Sequence, residues 1–161
     1  MTNMFVFDDK LTLPCPDGFH VMDETEQSGI RFFGDSPGRC LSDPERHILI
    51  SVGRKTLGGL STLLINAKDA AKRMEASIRK PMLEYGYRLN GFAAKSVGSE
   101  RAEGFSYEYE SQGTGMYGES YVVKRDKALY YLNLYARKEQ RPESLEVWTT
   151  ILSSAKWSET L

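Results

Sequence analysis

The sequence is poor in cysteine and histidine. Its 161 residues include two cysteines, Cys15 and Cys40, and two histidines, His20 and His47. Two thiols are too few for a disulfide scaffold, and a metal site would have to be assembled from distant segments. We therefore expect no metal and no cofactor, and two small, half-buried thiols. A redox or nucleophilic role for Cys15 or Cys40 stays open as an alternative.

The sequence also has no excess of charge of one sign and no long apolar run. The chain has 21 lysine and arginine residues against 22 aspartate and glutamate residues, a net charge of −1. Because the charges balance, the chain lacks the excess of positive charge that attracts a protein nonspecifically to nucleic acid or to an acidic membrane. No apolar run approaches the roughly 20 residues of a membrane-spanning helix, and Asp8 and Asp9 interrupt the first one. We expect a cytoplasmic protein that neither binds nucleic acid nor inserts into a membrane.

Motifs for phosphate binding and nucleophilic catalysis are absent or misplaced. Residues 113–118 match G-x-G-x-x-G, but strands are predicted on both sides, which favours a hairpin turn over a dinucleotide loop. The nucleophile elbow G-x-S-x-G does not occur. We assign no catalytic residue and expect that the protein is not an enzyme.

Several short strands are predicted before residue 53. Residues 11–13 alternate apolar and polar side chains, and Phe5 and Phe7 are placed in a preceding strand. The β-branched and aromatic residues 30–33 predict a second strand. Residues 47–52, HILISV, carry side chains for burial on both faces and predict a central strand.

A long helix is predicted between residues 58 and 85. Its apolar positions recur at steps of three and four and form one stripe, made of Ala67, Ala70, Ala71, Met74, Ile78 and Met82. Asn66 is placed at the N-cap, and Pro81 is expected to kink or end the helix. The charged residues between the stripe positions, Glu75 among them, predict a mildly basic face exposed to solvent.

From residue 87 onward the apolar period becomes two. The predicted strands lie near 87–93, 105–109, 121–123 and 128–136. Their connections are too short for helical crossovers, so we expect an antiparallel meander. Pro142 then opens a C-terminal helix whose Trp148 is expected to pack on the sheet. Together these elements predict one α+β domain over residues 1–161: an α/β/α sandwich with a central antiparallel sheet of about six strands.

The tyrosines are concentrated in the predicted sheet, since all nine lie between Tyr85 and Tyr135. Tyrosine combines a large apolar ring with a polar tip and is enriched at interfaces, although it also favours strands for its own sake. Both interpretations stay open. The interface interpretation predicts that a partner binds Tyr107, Tyr109, Tyr121, Tyr131 and Tyr135.

A second candidate site lies in the loop that leads from Cys40 to His47. Asp35, Asp43 and Glu45 stand near these two residues in the sequence, and together they would form a polar pocket for a small-molecule enzyme or binder. The ordinary interpretation is a hydrated loop, because loops usually carry such residues.

Short sequence segments along the chain resemble those of the Mog/PsbP/DcrB-like superfamily. They are Leu11-Thr12-Leu13-Pro14 with Asp17-Gly18-Phe19, Asp43-Pro44 before HILISV, Gly104 to Tyr109, Gly118 to Val123, and Trp148 to Trp157. The resemblance implies an α/β/α sandwich around an antiparallel sheet. It also implies roles that are mostly adaptor-like, including a photosystem accessory subunit, a factor that binds a small GTPase, and chaperones for hydrophobic segments of secretion effectors.

The leading hypothesis is therefore a non-enzymatic protein-binding module, either an adaptor or a chaperone. It would hold an apolar or amphipathic segment of a partner on the tyrosine-bearing sheet face. The cytoplasmic, secretion-chaperone branch of the superfamily is the nearest match, which makes a secreted effector with a hydrophobic helix one expected partner. A homodimer is a further alternative.

Overall fold

The computed structural model describes residues 3–30, 32–34 and 38–159. Within these ranges the strands are β1 (Asn3–Phe7), β2 (Leu11–Cys15), β3 (His20–Val21), β4 (Arg39–Asp43), β5 (Ile48–Thr56), β6 (Arg88–Val97), β7 (Glu100–Ser111), β8 (Thr114–Arg125), β9 (Ala128–Arg137) and β10 (Lys156–Trp157). The helices are α1 (Gly59–Leu64), α2 (Ala67–Met82) and α3 (Arg141–Ser153), with single 3-10 turns at Leu83–Tyr85 and Lys138–Gln140. Over the same ranges, no helix has the length and apolar character that crossing a membrane requires.

A seven-stranded sheet forms the centre of the fold. Its strand order is β3-β4-β5-β9-β8-β7-β6, and each recorded pairing is antiparallel. The predicted meander and the α+β class are confirmed, with seven strands in place of about six. A second sheet of order β1-β2-β10 was not predicted, because β10 is only two residues long and carries no strand signal of its own.

The predicted stripe of α2 packs on the sheet, and the predicted cap is present. The Asn66 side-chain oxygen accepts a hydrogen bond from the Asp69 amide at 2.8 Å, which satisfies one free donor of the first turn. Pro81 lies in the last turn, one residue before the helix ends. The expectation for Glu75 was wrong: its side chain is buried and accepts a hydrogen bond from the Tyr87 hydroxyl at 2.8 Å. The Tyr87 hydroxyl gives the buried Glu75 carboxylate a hydrogen-bond donor, which lowers the free-energy cost of burying it.

The strand predicted at residues 30–33 is also wrong. Ile30, Phe32 and Phe33 are not in a strand, and Arg31 lies outside the described residues. Here the chain crosses over β5: a Cβ atom placed on Gly53 would lie 2.2 Å from the Phe33 carbonyl oxygen. The Phe33 ring instead packs against Tyr131, with ring centroids 5.8 Å apart. This ring is half-buried against the apolar cluster on that face, so side-chain packing takes the place of strand pairing in this segment.

Each face of the large sheet has its own apolar layer. On one face α2 covers a cluster of Leu57, Ala70, Ala71, Met74, Ile78, Phe105, Tyr107, Val122, Leu129 and Tyr131. We call this side of the sheet the α2 face. On the opposite face, α3 and the small sheet cover a larger cluster that includes Leu13, Ile50, Leu132 and Trp148. The α/β/α sandwich is therefore present, with the small sheet added to one outer layer.

A buried carboxylate ties α3 to the sheet. Glu119 on β8 accepts hydrogen bonds from Trp148 Nε1 of α3 at 3.1 Å and from Lys95 Nζ of β6 at 3.0 Å. The hydroxyl of Tyr117 donates to its other oxygen. Burial, followed by this contact with Glu119, raises the pKa of Tyr117 above its usual value, so the phenol remains a donor. A charged group with three donors is the arrangement that makes carboxylate burial tolerable.

We expect Glu119→Ala to lower the free energy of unfolding by about 3 kcal/mol, because buried donors on Tyr117 and Trp148 lose their acceptor. Urea denaturation followed by tryptophan fluorescence measures the change. The matched control is Glu103→Ala, which removes the solvent-exposed ion pair with Arg101 and should cost less than about 1 kcal/mol. Equal losses in the two variants would contradict the structural role of Glu119.

Candidate functional site

The five tyrosines predicted to bind a partner do not form one exposed surface. Tyr107, Tyr109 and Tyr131 belong to the α2 face, and strand alternation places Tyr135 there as well. Tyr121 lies on the opposite face, because it pairs with Leu132 across the β8–β9 ladder. The exposed fractions of Tyr107, Tyr121 and Tyr131 are 1%, 2% and 8%. Only Tyr109 and Tyr135 are half-buried.

A row of aromatic rings lies on the α2 face. Tyr107 stacks between Tyr87 and Tyr109 with centroid distances of 5.4 and 5.9 Å, and Phe105 lies 5.7 Å from Tyr107. Burial raises the pKa of Tyr107 well above that of a free phenol, and it raises the pKa of Tyr135 to about 12. These phenols are neutral at physiological pH, so the row offers ring surface and no charge.

Two glycines make room for tyrosine rings on adjacent strands. Tyr107 lies directly opposite Gly118 in the β7–β8 register, and Gly104 lies opposite Tyr121. A Cβ atom on Gly118 would lie 2.4 Å from the Tyr107 ring, and one on Gly104 would lie 2.5 Å from the Tyr121 ring. Each ring thus covers the glycine across from it, one on each face of the sheet. Gly118, the last glycine of the G-x-G-x-x-G string, has this packing role within β8.

The alternative site around Cys40 and His47 is not assembled among the described residues. Cys40 and Asp43 lie on β4 at positions of opposite parity, so their side chains face opposite sides of the sheet. Burial raises the pKa of Cys40 to about 11, which keeps the thiol protonated. Glu45 and His47 are exposed, and Asp35 lies outside the described residues.

Asp43 has a local structural role. Burial alone would raise its pKa, but hydrogen bonds from the Arg46 side chain and from the amides of Arg46 and Glu45 hold the pKa below its usual value. The carboxylate thus closes the turn between β4 and β5. In the described ranges, no group of three or more His, Cys, Asp and Glu side chains has a geometry for a metal ion.

An apolar pocket opens between α2 and strands β5 and β9 on the α2 face. Its volume is about 140 Å³, and its walls are Phe33, Lys55, Ile65, Ala70, Arg73, Met74, Ser77, Leu129 and Tyr131. A dry cavity of about 150 Å³ can hold a benzene ring, so this pocket has room for one large apolar side chain. We call it the α2 pocket. Of the five predicted tyrosines, Tyr131 lines it.

Beside this pocket, α1 presents three leucines to solvent. Leu60, Leu63 and Leu64 are 71%, 81% and 69% exposed, and no residue of α1 is buried. The residues that flank the helix hold it in place: Leu57 is buried, and half-buried Ile65 forms a wall of the pocket. We call the three leucines the leucine ridge.

The sequence interpretation missed the leucine ridge. Leu60, Leu63 and Leu64 have the i, i+3, i+4 spacing of a helical stripe, which is a usable signal. The predicted apolar stripe begins only at Ala67. Asn66 caps α2 and thus separates α1 from α2. The leucine stripe of α1 is therefore independent of the α2 stripe, and it faces solvent.

The arrangement of layers defines the class of the protein as an α+β fold, and solved structures of PsbP, LpqN and Mog1 share this fold, as the sequence resemblance implied. Cyanobacterial PsbP (CyanoP) from Synechocystis sp. PCC 6803 superposes with a TM-score of 0.70 and 17% identity, over 98% of this chain and 92% of that chain. LpqN, described as involved in cell envelope biogenesis of Mycobacterium tuberculosis, gives a TM-score of 0.64 and 14% identity, over 99% and 91% of the two chains. A Mog1 mutant gives a TM-score of 0.58 and 9% identity, over 99% of this chain and 97% of that chain.

At these identities the likeness is one of fold. No family model matches the sequence, and no curated protein matches it.

We expect Gly118→Ala to destabilise the protein by roughly 1–3 kcal/mol, because the new methyl group overlaps the buried Tyr107 ring. Gly115→Ala on the same strand is the control, since its Cβ would meet only the Lys138 side chain at 3.5 Å. It should change the stability by less than about 1 kcal/mol. Chemical denaturation of both variants checks this, and a neutral Gly118→Ala would show that the ring is free to move.

We expect the stability to fall in alkaline solution as the tyrosines ionise. Phenols in the unfolded chain ionise near pH 10, whereas burial raises the pKa of Tyr107 and Tyr121 well above this value in the folded chain. The stabilisation is fully present below about pH 10 and is lost as the pH rises toward the folded pKa values. Phenolate absorbance and urea midpoints against pH measure both effects. Normal titration of every tyrosine in the folded chain would contradict this burial.

Proposed function

We propose that this protein is a non-enzymatic adaptor that holds an apolar or amphipathic segment of a partner protein at the leucine ridge and the α2 pocket. The observation that carries the proposal is the exposure of Leu60, Leu63 and Leu64 on a helix with no buried residue. Isolated exposed apolar residues are ordinary, but three on one helical turn beside an open apolar pocket form a contiguous surface.

The energetic scale of this surface suits reversible binding. Burying one leucine side chain completely contributes about 1.5–3 kcal/mol. Covering the ridge therefore offers several kcal/mol, before the cost of bringing two molecules together. An apolar side chain of the partner in the α2 pocket would add to this by contacting Phe33 and Tyr131, whose rings already contact each other.

The predicted partner-binding tyrosines take different places in this proposal. Tyr131 contacts the partner directly in the pocket. Tyr109 and Tyr135 extend the same face and are half-buried. Tyr107 and Tyr121 support the sheet beneath, because their rings are buried on opposite faces.

The comparisons support the adaptor class, since the fold is shared with PsbP, LpqN and Mog1. We further propose the chaperone form of this role in the cytoplasm, with a secreted effector that contains a hydrophobic helix as the partner. Alternatively, a second copy of this chain would occupy the surface as a homodimer.

We expect the triple variant Leu60→Ser, Leu63→Ser, Leu64→Ser to lose the partner recovered by the wild-type chain from a host extract. Its free energy of unfolding should change by less than about 1 kcal/mol, because exposed side chains contribute little to folding. Quantitative mass spectrometry of the recovered proteins gives the loss, and truncation of the recovered partner identifies the bound segment.

Leu83→Ser is the matched control, since Leu83 is 63% exposed in the 3-10 turn after α2. It should recover the partner as the wild type does. Full recovery by the triple variant, or a bound segment without apolar character, would contradict the proposed site. Light scattering of both variants separates the homodimer from a heterologous partner.

A further inference from the structure

The α2 pocket has charged residues of one sign. Among the described residues, the nine that line it include Lys55 and Arg73 and no carboxylate. Both cations are exposed. An apolar pocket with two cations at its opening favours a ligand that combines an apolar group with a negative charge.

The outer face of α2 extends this positive surface. The sequence of α2 has five cations and two carboxylates, Asp69 and Glu75. The Glu75 side chain is turned inward, where it lies near Tyr87 and Arg79. Arg79 pairs with Glu75 at 3.7 Å, so the other exposed charges of α2 are Lys68, Lys72, Arg73 and Lys80 against Asp69. The outer face of α2 is therefore positive toward solvent.

The leucine ridge lies next to this surface and carries no charge of its own. Residues 57–66 contain no ionisable side chain. At the edge of α1 the ammonium group of Lys124 donates to the Thr62 carbonyl oxygen, which brings a further cation to the ridge. The combined surface is a leucine stripe with lysine and arginine beside it.

From this charge pattern we propose that the bound segment is an acidic amphipathic helix, with apolar side chains on the leucine ridge and carboxylates facing Lys55 and Arg73. The proposal rests on the adaptor function and specifies its partner. A helix fits better than an added strand, because α1 uses its backbone groups in its own turn, as in the hydrogen bonds from Thr62 N to Gly58 O and Ile65 N to Ser61 O. Matched helical stripes also pack well side by side.

Two synthetic helical peptides test this proposal on the full chain. They share one leucine stripe and one length, and their flanking residues are glutamate in one and lysine in the other. Fluorescence anisotropy gives the dissociation constants at low and at raised salt. We expect the acidic peptide to bind at least about tenfold more tightly, and added salt to reduce the difference through screening.

Charge reversal provides the matched variants. Lys55→Glu with Arg73→Glu should reverse the preference between the two peptides. The control is Lys10→Glu with Lys156→Glu, which makes the same change in net charge around the small sheet and should leave the preference unchanged. A preference that follows net charge alone in both double variants would overturn the assigned site.

The remaining outcomes separate the two proposals. Equal binding of both peptides, abolished by the leucine triple variant, would overturn the acidic partner and leave the adaptor function standing. A second outcome is that neither peptide binds, while recovery of the host partner still depends on the leucine ridge. This outcome would also overturn the acidic partner and leave the adaptor function standing. Binding to anionic lipid vesicles without binding to the acidic peptide would assign the surface to a membrane. Binding of nothing, with recovery independent of the ridge, would overturn both proposals.

Discussion

Filling of the central sheet on both faces is the constraint that decides where this protein can bind another molecule. Side chains of α2 cover one face, while α3 and the small sheet cover the other. Glu119 holds the second layer in place through Trp148, and Gly118 admits the Tyr107 ring to the first. These layers bury most apolar side chains of the sheet, so apolar contact with a partner must come from the residues that the layers leave exposed.

The leucine ridge is exposed because α1 belongs to neither of these two layers. The chain leaves β5 after Thr56, and Ile65 packs against the α2 face just before α2 begins. The connecting turn is a helix too short to reach the core, so its leucines remain in solvent. Phe33 and Tyr131 form the neighbouring pocket because the chain crosses β5 there. The connection from β5 to α2 thus supplies the ridge, and the connection from β3 to β4 supplies Phe33 of the pocket.

Much of the fold was predictable from local patterns, and much of the site was not. The stripe of α2, the alternation of β7 to β9 and the placement of Trp148 depend on spacing along one segment. The sheet face of Tyr121 depends on its pairing with Leu132, and the burial of Glu75 depends on Tyr87. Such contacts join distant segments, so composition and periodicity do not contain them. The leucine ridge is different, because its spacing was visible and only its exposure required the structure.

The most direct measurement of the central claim is hydrogen–deuterium exchange of the full chain with and without its partner. Binding at the ridge and pocket predicts slower exchange in residues 57–66 and in α2, with no change in the small sheet or in the edge strand β6. Protection confined to β6, or to the turn between β4 and β5, would contradict the claim and place the partner elsewhere.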